Sequence, residues 1–182
     1  MWRAVALLLL AGFASEGSAA AGGGIEEMIR RDPALAALDR RMAEVYAAAS
    51  KKTPPAAKAE QHGWVKRRDD CWKAEDEVAC VRDAYRRRIA ELQARFRLVP
   101  SKGPFTWQCD DNAASEFAVT FFETDPATLI AEHAGETSLM YQAPSGSGAR
   151  YEGRNESYWE HRGEATIRWG DDAPELRCRS LR

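Results

Sequence analysis

The sequence predicts an α+β chain of two unlike domains, a helical unit followed by a small antiparallel β-barrel. Three observations carry the prediction. The hydrophobic period changes from helical to alternating near Pro100, the charge balance changes sign there, and the four cysteines fall two on each side. Residues 25–100 hold 17 Lys/Arg against 13 Asp/Glu, a net +4, and residues 101–182 hold 8 against 14, a net −6. The chain's overall −2 conceals this split. With 182 residues, each half stands near the lower limit for burying its own core. At 45% hydrophobic and 30% charged, the composition excludes collagen-like, strongly disordered and multispanning membrane classes. Near-neutral charge argues against a polycation that binds nucleic acid through its phosphates. Three histidines and four cysteines leave little material for a metal centre, and no cofactor is expected.

Residues 1–21 read as an export leader. Arg3 precedes an apolar run to Phe13, and small residues culminate in Ala19-Ala20-Ala21, where cleavage is expected. The run from Ala4 to Ala14 falls short of the roughly 20 apolar residues a membrane span needs. No cysteine stands near the cleavage region to accept a lipid, so the expectation is a periplasmic protein without stable membrane insertion once the leader is removed.

The first domain is expected over residues 25–99 as a helical hairpin or three-helix unit. Leu35, Leu38, Met42, Val45, Tyr46 and Ala49 repeat at helical spacing within residues 25–49. Asp32 supplies a cap and Pro33 suits a first turn, while Thr53-Pro54-Pro55 ends the run. A second helix is predicted over residues 56–74. A third covers 78–98, with Val81, Tyr85, Ile89, Leu92 and Phe96 on one face. Trp64 and Trp72, eight apart, read as core. The Arg86-Arg87-Arg88 triplet reads as a solvated face paired with Asp83 and Glu91 rather than a nucleic-acid site.

Residues 100–104 read as a linker by composition. Beyond them, over residues 105–182, the period becomes two: Phe105-Trp107-Cys109, Phe117-Val119-Phe121, and Ile167-Trp169 against Thr166-Arg168. Further short runs near 127–132, 136–142, 149–152, 156–161 and 175–179 are separated by turn-forming residues. Seven to eight short antiparallel strands make a small barrel or sandwich, filled by its own side chains.

An oxidising compartment favours disulfides, and four cysteines allow three pairings. If each half folds on its own, the pairs are Cys71–Cys80 and Cys109–Cys178. Zinc is the competing reading, without ligand spacing to support it.

No catalytic residue is indicated. Ser147 has a glycine on each side, but the glycine positions of a nucleophile elbow hold Ser145 and Ala149. Phosphate-binding, dinucleotide-binding and zinc-hydrolase motifs are absent. The unusual feature is the polar loop Ser145-Gly146-Ser147-Gly148-Ala149-Arg150-Tyr151.

That loop is followed by Trp159, by Arg162-Gly163-Glu164-Ala165 and by Cys178. In this order they resemble the MliC/PliC family of periplasmic inhibitors of C-type lysozyme. The family pattern is a Ser-Gly-x-x-Tyr loop, a tryptophan before a Lys-Gly-like turn, and a closing cysteine. The resemblance implies a barrel closed by a disulfide and a C-type lysozyme as protein partner. It implies inhibition by insertion: the loop enters the substrate cleft, its serine meets one catalytic carboxyl and a basic residue meets the other. Ser147, Gly148 and Tyr151 take the loop positions. Trp159-Glu160-His161-Arg162-Gly163 replaces Trp-x-Lys-Gly, so counting from Trp159 makes His161 the cation and counting from Gly163 makes it Arg162. Arginine is favoured, being always charged and able to grip a carboxylate with two donors. The acidic second half suits such lysozymes, which are typically basic.

The first half resembles the helical domain of LprI-type lysozyme inhibitors. The resemblance rests on Asp32 to Leu35, Leu38 to Met42, Tyr46, Gln61 to Asp69, Cys71, Cys80 and Tyr85 to Ile89. The rival expectation is a cell-envelope scaffold whose helical half contacts a protein partner or peptidoglycan. A hydrolase using the barrel carboxylates is the least supported reading.

Overall fold

The computed structural model describes residues 17–52, 54–110 and 115–181. Most of the leader over residues 1–21 lies outside the described residues. Among the described residues four α-helices precede the barrel: α1 (Gly17–Arg31), α2 (Pro33–Ser50), α3 (Pro54–Asp69) and α4 (Glu77–Arg95). The predicted first run is divided because Asp32 adopts an extended conformation and its carboxylate accepts from Ala34 N at 2.7 Å and Leu35 N at 3.1 Å. These bonds satisfy two otherwise orphaned donors and begin a new helix. Asp76 caps α4 in the same way, accepting from Ala79 N at 2.8 Å.

The helical core joins Ile25, Ile29, Leu35, Met42, Val45, Val81, Tyr85 and Leu92 around the buried Trp64. Inside it lies a polar network. Arg68, 4% exposed, donates to the Tyr85 hydroxyl at 2.9 Å, and that hydroxyl donates to Asp39 at 2.8 Å. Arg68 also bonds Asp69 and Glu26, and its guanidinium lies 5.6 Å from the Trp64 ring centroid. Burial together with hydrogen bonding to Asp39 pushes the Tyr85 phenol well above the ordinary tyrosine range. Trp72 corrects the expectation that it joins Trp64 in the core, because it is 50% exposed. The α-helix stops at Asp69 and tightens into the 3-10 turn Asp70–Lys73, so the eight-residue spacing no longer keeps both tryptophans on one face.

Eight strands form a closed antiparallel barrel in sequential order: β1 (Ser101–Cys109), β2 (Glu116–Phe122), β3 (Thr128–His133), β4 (Glu136–Ala143), β5 (Ala149–Glu152), β6 (Glu156–His161), β7 (Glu164–Trp169) and β8 (Glu175–Leu181). Residues read as linker thus enter the barrel: Ser101 pairs with Phe122 and Lys102 with Phe121. Gly103-Pro104 occupies a register shift, where proline's missing donor costs nothing. The interior is filled by Trp107, Phe117, Val119, Leu129, Met140, Tyr151, Tyr158 and Ile167.

All four cysteines are bonded, Cys71 to Cys80 and Cys109 to Cys178. The second bridge joins facing residues of β1 and β8, the first and last strands. In the loop-closure model the two are worth about 2.5 and about 4.5 kcal/mol.

The halves are in contact. Ala94 of α4 packs with Phe122 and Ile130, flanked by Val99 and Leu139. Arg86 pairs with Asp125 at 2.5 Å, and the Arg87 guanidinium lies 4.8 Å from the Tyr141 ring centroid. Arg88 is 2% exposed and pairs with Glu91 at 2.9 Å. Arg87 is exposed and Arg86 partly so, and Arg88 makes the expected pair with Glu91, but Arg88 is buried rather than part of a solvated face. Because α4 packs between other helices and the barrel, the buried face of the helix takes Arg88, while Arg86 and Arg87 reach Asp125 and Tyr141 of the barrel from its edge. Among the described residues no helix is long and apolar enough to cross a membrane.

Candidate functional site

In an up-and-down barrel every second connection emerges at the same end. The β4–β5 loop and the β6–β7 turn consequently share one mouth of the barrel with the β2–β3 turn around Asp125. Ser147 and Gly148 belong to the first connection, and Arg162 and Gly163 form the second. Residues fifteen apart are thus brought to one place by topology, with Trp159 and His161 on the strand between them.

The loop is anchored through its backbone. The Ser147 carbonyl accepts from Trp159 Nε1 at 3.0 Å and from Ser145 Oγ at 2.5 Å. Ser145 Oγ in turn accepts weakly from Ser147 N at 3.4 Å. With its carbonyl held twice, Ser147 is exposed, and its hydroxyl has no partner among the described residues. Gly148 adopts φ +70°, and a Cβ built on it would lie 2.0 Å from the Glu160 carbonyl oxygen. Only glycine fits this approach. Gly146 carries no such constraint, since a Cβ there would meet open space.

Tyr151 stands apart from the other site candidates. It is 7% exposed and packs edge-on against Phe121 and Tyr158, with centroids 5.6 and 6.4 Å away. Burial raises its phenol pKa. It supports the loop from within the barrel, since Tyr151 and Tyr158 pair across β5 and β6 just below Ala149 and Glu160.

Trp159 is 42% exposed, and its ring stacks on His161 at 6.0 Å and 22°. The imidazole is thereby committed to an aromatic plate. Arg162 occupies the turn at φ +56° with Gly163 at +84°, the paired positive angles of a tight hairpin turn. Glu160 Oε1 fixes that turn by accepting from Gly163 N at 3.0 Å. Arg162 is exposed and makes no ion pair with any described residue. Beside these residues an open groove of about 530 Å³ runs across β6, β7, β8 and β1, lined by Trp159, His161, Glu164, Arg177 and Arg179.

Three of these participants lay beyond sequence reasoning: Ser145 as the loop's internal brace, Glu160 as the turn's acceptor, and the groove-lining Arg177. Ser145 had a signal in the alternation Ser-Gly-Ser-Gly, since serine hydroxyls often bond backbone two residues on. Chemically, the mouth presents a hydroxyl and a guanidinium, both without a partner among the described residues, and an aromatic plate on a held backbone. Among the described residues no cluster of three or more metal-ligating side chains occurs.

Residues 107–176 match the family described as membrane-bound lysozyme-inhibitor of c-type lysozyme. The matched stretch runs from within β1 into β8 and contains the β2–β3, β4–β5 and β6–β7 connections of the mouth. The chain is also similar to Lipoprotein LprI of Mycobacterium bovis and of Mycobacterium tuberculosis, 28% identical over 144 residues to each. That alignment covers 79% of this chain and 73% of the relative. Being longer than the barrel, it necessarily extends into the helical half. Both resemblances read from the sequence are therefore found: the second half to MliC, and the chain with its helical part to LprI.

Proposed function

We propose that this protein is an inhibitor of C-type lysozyme that inserts the Ser147-Gly148 loop into the enzyme's substrate cleft. The observation that carries the reading is the state of Ser147, whose carbonyl is held by Trp159 and Ser145 while its hydroxyl is left free at the barrel mouth. A loop already fixed in the free protein loses little conformational freedom on insertion, so more of the contact energy appears as affinity.

Lysozyme chemistry uses one protonated and one ionised carboxyl group. A neutral hydroxyl suits the first and a cation the second. Ser147 supplies the hydroxyl. Arg162 supplies the cation, because it has no ion-pair partner to surrender among the described residues, whereas His161 is stacked on Trp159. Trp159 and His161 together offer a flat surface to the cleft wall. Tyr151 acts indirectly, by filling the barrel beneath the loop. The setting that suits this role is the periplasm, reached by export.

The test mixes the exported protein, leader removed, with a C-type lysozyme and follows lysis of a cell-wall suspension. Lysis should cease at stoichiometric protein. Undiminished lysis at micromolar inhibitor would overturn the proposal.

A further inference from the structure

The barrel mouth leaves the basic character of the helical half unused. Away from it, between α3 and α4 on one side and β4, β5 and β6 on the other, the halves enclose an open cleft of about 850 Å³. Clefts between folding units are preferred sites for small ligands. Four arginines line it: Arg67 from α3, Arg87 and Arg95 from α4, and Arg154 from the β5–β6 turn.

The charges divide unequally once their partners are counted. Glu91 is matched by Arg88 at 2.9 Å and Arg95 at 3.1 Å, and Glu152 by Arg150 at 2.8 Å. Glu156 accepts from the Ser138 hydroxyl at 2.8 Å and from Asn155 N at 3.2 Å. Arg87 lies over the Tyr141 ring and pairs with no carboxylate among the described residues. Arg67 and Arg154 are exposed and have no ion-pair partner among the described residues. Among the described residues three uncompensated guanidinium groups therefore face one carboxylate: Arg67 and Arg87 give the helical wall its excess of positive charge, and Arg154 faces them from the barrel wall, which also carries Glu156. At Tyr141, in the cleft lining, Arg87, Arg88 and Arg95 all favour the ionised phenol and Glu91 alone among the charges opposes it, although burial dominates and raises the pKa.

We infer that this cleft is a second binding site, for a small polyanion whose phosphate or carboxylate groups are shared between Arg67 on the helical wall and Arg154 on the barrel wall. Guanidinium forks match both oxyanions, which form short, charge-assisted hydrogen bonds with them. A ligand that bridges the walls must carry at least two such groups. Its occupancy would tie the halves together, and the site does not involve the residues assigned to lysozyme.

Calorimetric titration of the full protein at low ionic strength, without lysozyme, provides the test. Tripolyphosphate and citrate serve as the two probes, and the uncharged trimer of N-acetylglucosamine as the control. Saturable binding of at least one anion is expected, with the responding probe identifying phosphate, carboxylate or either. The double variant Arg67→Gln/Arg154→Gln should bind at least tenfold more weakly while keeping its melting temperature and its inhibition of lysozyme. An Arg31→Gln variant, altered at the end of α1, should bind like the parent. Absence of saturable anion binding at millimolar probe would overturn the inference. So would affinity unchanged in the double variant, or equal loss in Arg31→Gln. Because lysozyme is left out of the titration, none of these failures bears on the inhibitor reading.

Discussion

A methyl group on Gly148 would lie 2.0 Å from the carbonyl oxygen of Glu160, closer than any side-chain carbon can approach a backbone oxygen. The residue also stands at φ +70°. Gly148→Ala must therefore push the loop away from β6 and strain its own backbone, at a cost of about 1–3 kcal/mol. Lysozyme inhibition should fall at least tenfold while circular dichroism still reports the barrel. Gly146→Ala, facing open space, should be nearly silent in the same assays.

The indole of Trp159 holds the Ser147 carbonyl through one hydrogen bond of 3.0 Å. Trp159→Phe keeps an aromatic ring and loses the donor, which should weaken inhibition by about 0.5–1.5 kcal/mol, the worth of one such bond. Adding Ser145→Ala removes the carbonyl's other partner. The double variant should lose more than the sum of the single losses, because either anchor alone can retain the loop. Inhibition constants for the four proteins of the cycle would reveal simple additivity if the anchors act separately.

Arg162→Ala should weaken inhibition by about 2–5 kcal/mol, since it leaves a carboxylate of the cleft buried without its cation. Its melting temperature should not move, because Arg162 makes no ion pair with any described residue. His161→Ala should cost much less. The reverse order of the two losses would assign the cationic contact to His161.

The network around Arg68 predicts that the helical half can be weakened without touching inhibition. Tyr85→Phe removes the hydroxyl that accepts from Arg68 and donates to Asp39, and should cost about 1–2 kcal/mol in urea denaturation. Arg68→Met leaves two carboxylates unpaired, but Asp69 and Glu26 retain access to water, so a loss of only about 2 kcal/mol is expected.

Stability should decline in alkali. The Tyr141 phenol is pushed up to about 12, chiefly by burial, and burial also raises Tyr85 and Tyr158. A raised folded-state value means the unfolded chain loses its phenolic proton first. The contribution is therefore complete below about pH 10, the ordinary tyrosine value, and is lost as pH rises toward 12. Absorbance titration of the phenols, run beside thermal melts, should show late ionisation coinciding with unfolding. Early ionisation without loss of structure would contradict it.

What was readable in the sequence was what local periodicity and turn chemistry encode. Alternation from Phe117 to Phe121 and the Ala134-Gly135 and Arg162-Gly163 turns specify antiparallel strands, and both turns adopt the positive angles expected of them. Asp32 and Pro33 mark a helix start, though not the existence of a separate helix before it. Trp72 was misplaced because spacing cannot show where an α-helix tightens into a 3-10 turn. The network of Glu26, Asp39, Arg68 and Tyr85 joins positions distant in sequence whose charges suggest only surface. At the mouth, Ser147 and Gly148 were legible as an unusual loop. The close approach to Glu160 and the hydrogen bond from Trp159 depend on strand register, which a linear pattern does not contain.

The contact of α4 with the barrel has a consequence for motion in solution. Arg86 on Asp125 and Ala94 against Phe122 and Ile130 join a half carrying +4 to a half carrying −6. Separated charge on linked halves amounts to a permanent electric dipole. Such a molecule experiences a torque in the field of a charged partner and turns before any surfaces touch. Encounter is thereby biased in orientation as well as frequency, and added salt should erase that bias first.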